Sequence, residues 1–343
     1  MKKLFFLIIL FCAAVGVWFM YSEIHTAEAA LSEKISFQVQ KDESVSALAD
    51  RLAEEQVIRN SWLFKKYIAW KGVDKDVRFG TFEVETPITL ERVIEALKNP
   101  SAGEKEITII PGWNIRDIAQ YFEREGMFQS EEITELIGLP VHDYRSGSVP
   151  GFTFQTDVLL TKSKPDYVSF EGYLSPDTFR IIKDATLDEI VEKLVRHRDQ
   201  QFTEQMYLDI EKAGRTPHEI LTLASIVERE VMGEKDKKIV ADIFLRRLEM
   251  NWALQADSTV HYAVGKSGNV FTSKEDRDSL SLWNTYKYPG LPPGPISNPS
   301  FGSIMAAIYP EPNEYYYFLT DMGGEVHYGK TLEEHNANRA KYL

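Results

Sequence analysis

Midway along the chain, Thr216-Pro217-His218-Glu219 opens a helix whose register is fixed by its first turn. Thr at the cap, Pro at the first helical position and Glu three residues after the cap form a capping box. Stepping 100° per residue from Glu228, the residues Ile220, Leu221, Leu223, Ala224, Val227, Val231 and Met232 fall between about −140° and +40°, and Glu228 lies inside that apolar arc. Glu219, Thr222, Arg229 and Glu230 fall outside it, with Ile226 the apolar exception on the outer side. A carboxylate facing a core loses solvation, so it is either paired or held protonated; a protonated carboxyl is what proton donation to a leaving oxygen near neutral pH requires. Glu228 is thus a candidate general acid. The plainer alternative places it at the edge of the arc, salt-bridged to Arg246 or Arg247. Glu230 is the nearest rival, but it stands about 160° around the helix, where a solvated salt-bridge role is expected.

Two loops after this helix carry the chemistry of a sugar-binding wall. Residues 252–262 (WALQADSTVHY) and 283–299 (WNTYKYPGLPPGPISNP) are dense in amides, hydroxyls, aromatic rings, Pro and Gly, which supply stacking faces and hydrogen-bond partners on stiff backbone. The plainer reading of the Pro-Gly stretch is a surface crossing in polyproline geometry. Other chemistries find no support in the spacing. The histidines at 25, 142, 197, 218, 261, 327 and 335 are scattered, without H-E-x-x-H, and no G-x-S-x-G occurs. No metal or other cofactor is expected.

In their order and spacing, Leu223-Ala224-Ser225-Ile226-Val227-Glu228-Arg229-Glu230, Phe244-Leu245-Arg246-Arg247-Leu248, Leu254-Gln255-Ala256-Asp257-Ser258-Thr259-Val260, Asn284-Thr285-Tyr286, Gly290 to Ile296 (GLPPGPI) and Asn298-Pro299 resemble the MltG-type (YceG-like) endolytic murein transglycosylase family. The upstream Glu171-Gly172-Tyr173-Leu174-Ser175-Pro176-Asp177-Thr178 is similar to that family's E-G-x-x-x-P-D-T segment. The resemblance covers nearly the whole chain. It implies non-hydrolytic cleavage of the MurNAc–GlcNAc β-1,4 bond inside glycan strands, leaving 1,6-anhydro-MurNAc ends, with Glu228 as general acid and then base. Gln255, Asp257, Asn284 and Tyr286 match family positions, either as sugar contacts, as groups orienting Glu228 or as structural turn residues. Ala256 and Ser258 depart from the pattern, where Thr and Pro are common. The implied partners are peptidoglycan strands and cell-wall synthases of the penicillin-binding kind. The rival from another class is a non-catalytic, membrane-anchored peptidoglycan-binding scaffold for such synthases.

Around these residues the patterning predicts an α+β protein. ISFQVQ at 35–40 alternates as a strand, and Ser44 caps a helix through Val45, Leu48, Ala49 and Leu52. Seventy residues later Ile109-Ile110-Pro111-Gly112-Trp113-Asn114 leads into Ile115, Ile118, Ala119 and Phe122 at the same offsets, a weak internal echo. Between them lie a strand in TFEVE, a helix capped by Thr89, and a Pro/Ser/Gly exit at 100–103. Residues 146–161 lack a helical period and are expected to form a loop over a groove, while 186–212 read as a long helix or helix pair. Two strands around Asp321 to Gly324 form an expected hairpin, followed by a helix with His335, Asn336 and Arg339.

The chain has 343 residues, room for about two domains. Its net charge of −13 excludes a general nucleic-acid binder. Residues 4–20 (LFFLIILFCAAVGVWFM), with Lys2 and Lys3 before them and Glu23 and Glu28 after, are expected to cross a membrane once with the N-terminus in the cytoplasm. Ala27-Glu28-Ala29 offers the competing reading of a cleaved signal peptide, whose apolar region is usually shorter. Cys12, inside this stretch, is the only cysteine and reads as a small apolar residue. The expected organisation is an anchor (1–21), a spacer (22–34), a small domain (35–103) and a larger one (104–343), the folded part lying outside the cytoplasm; the family resemblance implies that the small domain is LysM-like, the larger one catalytic and the membrane that of a bacterium.

Overall fold

The computed structural model describes residues 11, 14–16, 18, 20–22, 24, 25, 34–40, 43–77, 79–98, 104–147, 151–183, 185–266 and 272–343. Among these, no helix is long and apolar enough to cross a membrane; most of the 4–20 stretch, Ala27-Glu28-Ala29 and the exit at 100–103 lie outside them. The fold is mixed α+β, built of helices and two-stranded sheets. It divides into two compact units, 1–107 with 179–185, and 108–178 with 186–343.

In the first unit, β1 (Lys34–Val39) pairs antiparallel with β2 (Gly80–Glu85), and Phe37 faces Phe82 across the ladder with rings 5.7 Å apart. Strand alternation sends Phe37 and Val39 inward. The connection is a helix pair, α1 (Val45–Glu54) and α2 (Ser61–Lys71). Each is started by a side chain that satisfies a free backbone N–H: Ser44 Oγ accepts from Ala47 at 3.1 Å and Asn60 Oδ1 from Leu63 at 3.0 Å. Leu48 and Leu52 of α1 and Phe64 and Ile68 of α2 bury their side chains with the strand phenylalanines, and α3 (Leu90–Ala96), capped by Thr89, adds Val93 and Ile94.

The echo in the sequence is a repeated element. β3 (Glu104–Ile109) and α4 (Ile115–Arg124) stand at 34–39 and 45–54 plus 70, and α5 (Ser130–Ile137) follows as α2 follows α1. β3 pairs with β4 (Asp177–Ile182). Between α5 and β4 the chain makes two 3-10 turns, at Tyr144–Ser146 and Leu159–Ser163. Of 146–161, residues 151–158 have no regular structure, as expected of a loop, and Phe154 anchors them, buried edge-on against Phe170 at 5.0 Å.

The second unit continues through α6 (Leu187–Gln200), α7 (Glu204–Lys212), α8 (Pro217–Glu230), α9 (Glu234–Glu249), α10 (Asp257–Val264), the short α11 (Lys274–Arg277) and α12 (Phe301–Ile308). It ends in the expected hairpin, β5 (Tyr317–Thr320) and β6 (Val326–Gly329), and α13 (Leu332–Tyr342). α8 is the axis of this unit, with α9 and α12 packed on it and on each other. It is covered on more sides than an amphipathic wheel implies: Thr222 and Ile226, expected on the outer side, are both buried. Met232, expected on the inner arc, is 82% exposed, because the helix stops at Glu230 and Val231 is already extended.

Candidate active site

The last turn of α8 delivers Glu228, and the Pro-rich segment after α11 reaches it by running along the helix. His218 Nε2 bonds the Pro293 carbonyl at 2.9 Å, Ser225 Oγ accepts from Ile296 N at 3.0 Å, Ser297 Oγ donates to the Ser225 carbonyl at 3.1 Å, and Ser300 N donates to Glu228 Oε2 at 2.9 Å. The segment is therefore fastened to α8 at successive heights, with residues 294–299 buried rather than crossing the surface. Prolines suit this place because they bring no N–H that burial would leave unpaired. Gly172 permits the close approach: at φ +85° its backbone lies so near Pro295 that a Cβ would sit 2.5 Å from the ring.

Glu228 is 10% exposed and is not in an apolar pocket. Its Oε2 accepts from Ser300 N, from Ser300 Oγ at 2.5 Å, from Ser303 Oγ at 2.6 Å and from Lys237 Nζ at 3.4 Å. Ser300 is also the N-cap of α12, so the carboxylate meets the positive end of that helix. Oε1 forms no hydrogen bond among the described residues, an asymmetry that leaves one oxygen held and the other presented. On another side Gly112, at φ +83°, approaches so closely that a Cβ there would lie 3.8 Å from Glu228 Cγ. Its carbonyl is held by Arg229 Nη1 at 3.1 Å and its N–H by the Asn298 carbonyl at 2.9 Å.

Beneath this surface Glu171 ties the segments together. It is 2% exposed and accepts from Ile115 N at 3.0 Å, Tyr262 Oη at 3.0 Å and Asn298 Nδ2 at 3.1 Å. Burial pushes its carboxyl up to about 8, against the ordinary 4.5. Arg198 of α6 is completely buried; it donates to the Pro299 carbonyl at 2.7 Å and so fixes the residue before Ser300. Burial lowers it to about 9, which leaves it a cation at neutral pH.

The profile of the YceG-like family matches residues 37–341. The chain belongs to that family. The endolytic murein transglycosylase of Bacillus subtilis is 29% identical over 333 residues, 96% of this chain and 91% of that protein. The endolytic murein transglycosylase of Streptococcus pneumoniae is 25% identical over 98% of this chain, which spans 64% of that protein's length. The crystal structure of a yceG-like protein from Listeria monocytogenes, 27% identical, matches with a TM-score of 0.56, over 89% of this chain and 99% of that one.

In this member of the YceG-like family, the residues singled out from the sequence take the following places. Glu228 is paired by Lys237, not by Arg246 or Arg247. Arg246 is held by Asp242 at 3.0 Å, and Arg247 donates to the carbonyls of Leu254 at 2.5 Å and Tyr316 at 2.6 Å. Glu230 is not a solvated ion-pair partner. Its Oε1 accepts from Ser258 N at 3.3 Å and Ser258 Oγ at 2.6 Å, and burial pushes its carboxyl above the usual range. Gln255 is exposed, with a left-handed backbone (φ 52°) and its N–H on the Thr285 carbonyl. Exposed Asp257 accepts from Tyr286 Oη at 2.9 Å. Asn284 is fully buried: Nδ2 donates to the carbonyls of Arg277 and Ser279, and Oδ1 accepts from Tyr286 N, the turn-residue alternative. Trp283 is also buried, its Nε1 on the Gly294 carbonyl, so its ring offers no stacking face. Sequence reasoning missed Lys237, Ser300 and Ser303. The one available signal was Ser300 as a helix cap, and nothing in a linear reading aims that cap at Glu228. Asp321, Glu325 and His327, brought within 4.8 Å by the last hairpin, escaped the search for metal-ligand spacing, although His327 Nε2 is already bonded to Asp321 at 2.9 Å.

Proposed function

We propose that this chain cuts murein glycan strands internally as a lytic transglycosylase, breaking the MurNAc–GlcNAc β-1,4 bond and leaving a 1,6-anhydro-MurNAc end. The observation that carries the reading is Glu228, held at Oε2 and open at Oε1, in a chain similar over nearly its whole length to proteins named for this activity. Glu228 acts first as the acid: a proton leaves Oε1 for the glycosidic oxygen, and the bond from that oxygen to MurNAc C1 breaks. The resulting carboxylate then removes the proton of the MurNAc C6 hydroxyl as that oxygen closes on C1, so the proton returns to Glu228. A glycosidase that uses water or a covalent sugar needs a second carboxylate; a substrate that brings its own nucleophile does not.

Gln255, Asp257 and Tyr286 serve as the sugar contacts, and Asn284 holds the turn that presents Tyr286. The organisation is an anchor at 1–21 that places the chain in the bacterial cytoplasmic membrane with its N-terminus inside, a spacer at 22–34, a LysM-like glycan-holding domain at 35–103 and the catalytic domain at 104–343. Cutting close to the membrane would end the elongation of nascent strands, which makes cell-wall synthases the fitting neighbours. A purely scaffolding role is not favoured, since it gives no reason to clamp one carboxylate oxygen and leave the other open.

Full-length protein in detergent, given uncrosslinked glycan strands, should release anhydro-muropeptides detectable by mass spectrometry. Glu228→Gln should lower that rate by a factor of about 10³ with unchanged circular dichroism, because the amide neither gives nor recovers the proton. Full activity in that variant refutes the assignment. Binding without any release by the unaltered chain returns the scaffold reading.

A further inference from the structure

Lys237 is the least expected member of the site. Its side chain is 6% exposed, and its Nζ stands 3.1 Å from Ser300 Oγ, 3.2 Å from Glu234 Oε1 and 3.4 Å from Glu228 Oε2. A buried ammonium is retained only where its charge is met. The two carboxylates it meets differ: the Glu234 side chain is 69% exposed, so solvent screens that pair, whereas the pair with Glu228 is enclosed on both sides. Every donor on Glu228 converges on Oε2, and Lys237 touches both that oxygen and the hydroxyl of Ser300 that donates to it.

We propose that Lys237 is a positioning residue for Glu228: it pins Oε2, so that Oε1 alone faces the substrate; Glu234 meets its charge while the proton is still on Oε1, and Lys237 then stabilises the carboxylate left when that proton has passed to the glycosidic oxygen. This rests on the reading of Glu228 above. The charged groups around Glu228 are Lys237 and Glu234 from α9, Arg198 from α6, and Arg229 and Glu230 on its own helix; α12 presents only serine hydroxyls and backbone. Arg198 faces the Pro299 carbonyl, Arg229 faces that of Gly112, and Glu230 faces Ser258, which leaves Lys237 as the cation hydrogen-bonded to the carboxylate. Charge that forms beside a fixed cation needs no reorganisation of its surroundings.

The test is the pH profile of anhydro-muropeptide release from uncrosslinked glycan strands by the full-length chain and three variants. In Lys237→Met the alkaline limb of kcat/KM should move up, the direction expected when an opposite charge beside a carboxyl is lost. At its optimum kcat should fall by about tenfold or more, with KM little changed. Lys237→Arg, which keeps the charge, should hold the limb near its original position. Ser303→Ala, which removes a neutral donor from the same oxygen, should move it in the same direction by less. A folded Lys237→Met with the original limb and kcat overturns the proposal, and so does a limb that shifts equally in Lys237→Arg. If thermal unfolding shows that Lys237→Met does not fold, the limb in Ser303→Ala decides: a rise supports the pinned oxygen and an unmoved limb rejects it. Glu228→Gln, run alongside, separates the two claims. An active Glu228→Gln removes both, whereas an inactive one beside an unaltered Lys237→Met removes only the role of Lys237.

Discussion

The chain folds the same strand, helix, helix, strand element twice and uses it differently each time. In the first copy, β1 to β2, the residues between the second helix and the closing strand are only 72–79, and just before α1 Glu43 pairs with Arg51 of that helix at 2.9 Å. In the second copy the interval is 138–176, and the turn before α4 holds Gly112 and Trp113, whose backbone groups bond Asn298 and Arg229. The inserted segment carries Glu171 and Gly172 into the core beneath Glu228's surroundings. The difference teaches that with a short closing connection the element packs its own core, whereas the long connection of the second copy also feeds a carboxylate, Glu171, inward.

The sharpest way to break that comparison is Gly172→Ala. A methyl group 2.5 Å from Pro295 on a backbone at φ +85° requires the Pro-rich segment to move. Loss of about 3 kcal/mol or more and of nearly all glycan cleavage is expected. Hydrogen exchange should lose protection at 110–115 and 293–300 while β1 and β2 stay protected; equal loss in both copies would mean they are not independent.

A smaller effect should separate them by pH. With its carboxyl raised from 4.5 to about 8, folded protein keeps a proton on Glu171 that the unfolded chain has released, so stability falls as pH rises through that window. Glu171→Gln cannot titrate. The gap between the two proteins in urea titrations should therefore widen in favour of the variant by a few kcal/mol from pH 5 to pH 8. Parallel curves would show that Glu171 titrates normally. The smallest contrast lies at the caps. Asn114 Oδ1 accepts from Arg116 N at 2.8 Å, and Ser44 Oγ accepts from Ala47 N at 3.1 Å. Each alanine substitution should cost about 1 kcal/mol. Only Asn114→Ala should slow cleavage, since Ile115 behind it donates to Glu171; an equal effect of Ser44→Ala on turnover would contradict the division of labour.

Much of this was legible wherever local rules dominate. Ser44, Thr89 and Thr216 cap helices where their spacing says they should, and the alternation around Asp321 yields the last hairpin. The 70-residue echo was visible in Ile109 to Phe122 because strand and helix periods are local. What stayed hidden depends on distant partners. Glu228 was read correctly as facing inward, yet the inside turned out to be furnished with Ser300, Ser303 and Lys237, which lie 72, 75 and 9 positions away. Glu230 was misjudged because a helical wheel cannot know that the N–H and hydroxyl of Ser258 will be packed over it. The expected surface crossing of the Pro-rich stretch is instead, over 294–299, a buried girder along α8, since only the tertiary fold decides which side of a rigid segment faces water.

The fastening at His218 has one more consequence. A carbonyl only accepts, so Pro293 requires the proton on Nε2; Nδ1 is then the acceptor for Tyr173 Oη at 2.9 Å, and burial keeps the ring from taking a second proton. This joint of neutral groups adds no charge change of its own near neutral pH, unlike Glu171, which accepts from Asn298 of the same segment. The joint at Pro293 therefore steadies one end of the segment whose other end, Ser300, donates to Glu228.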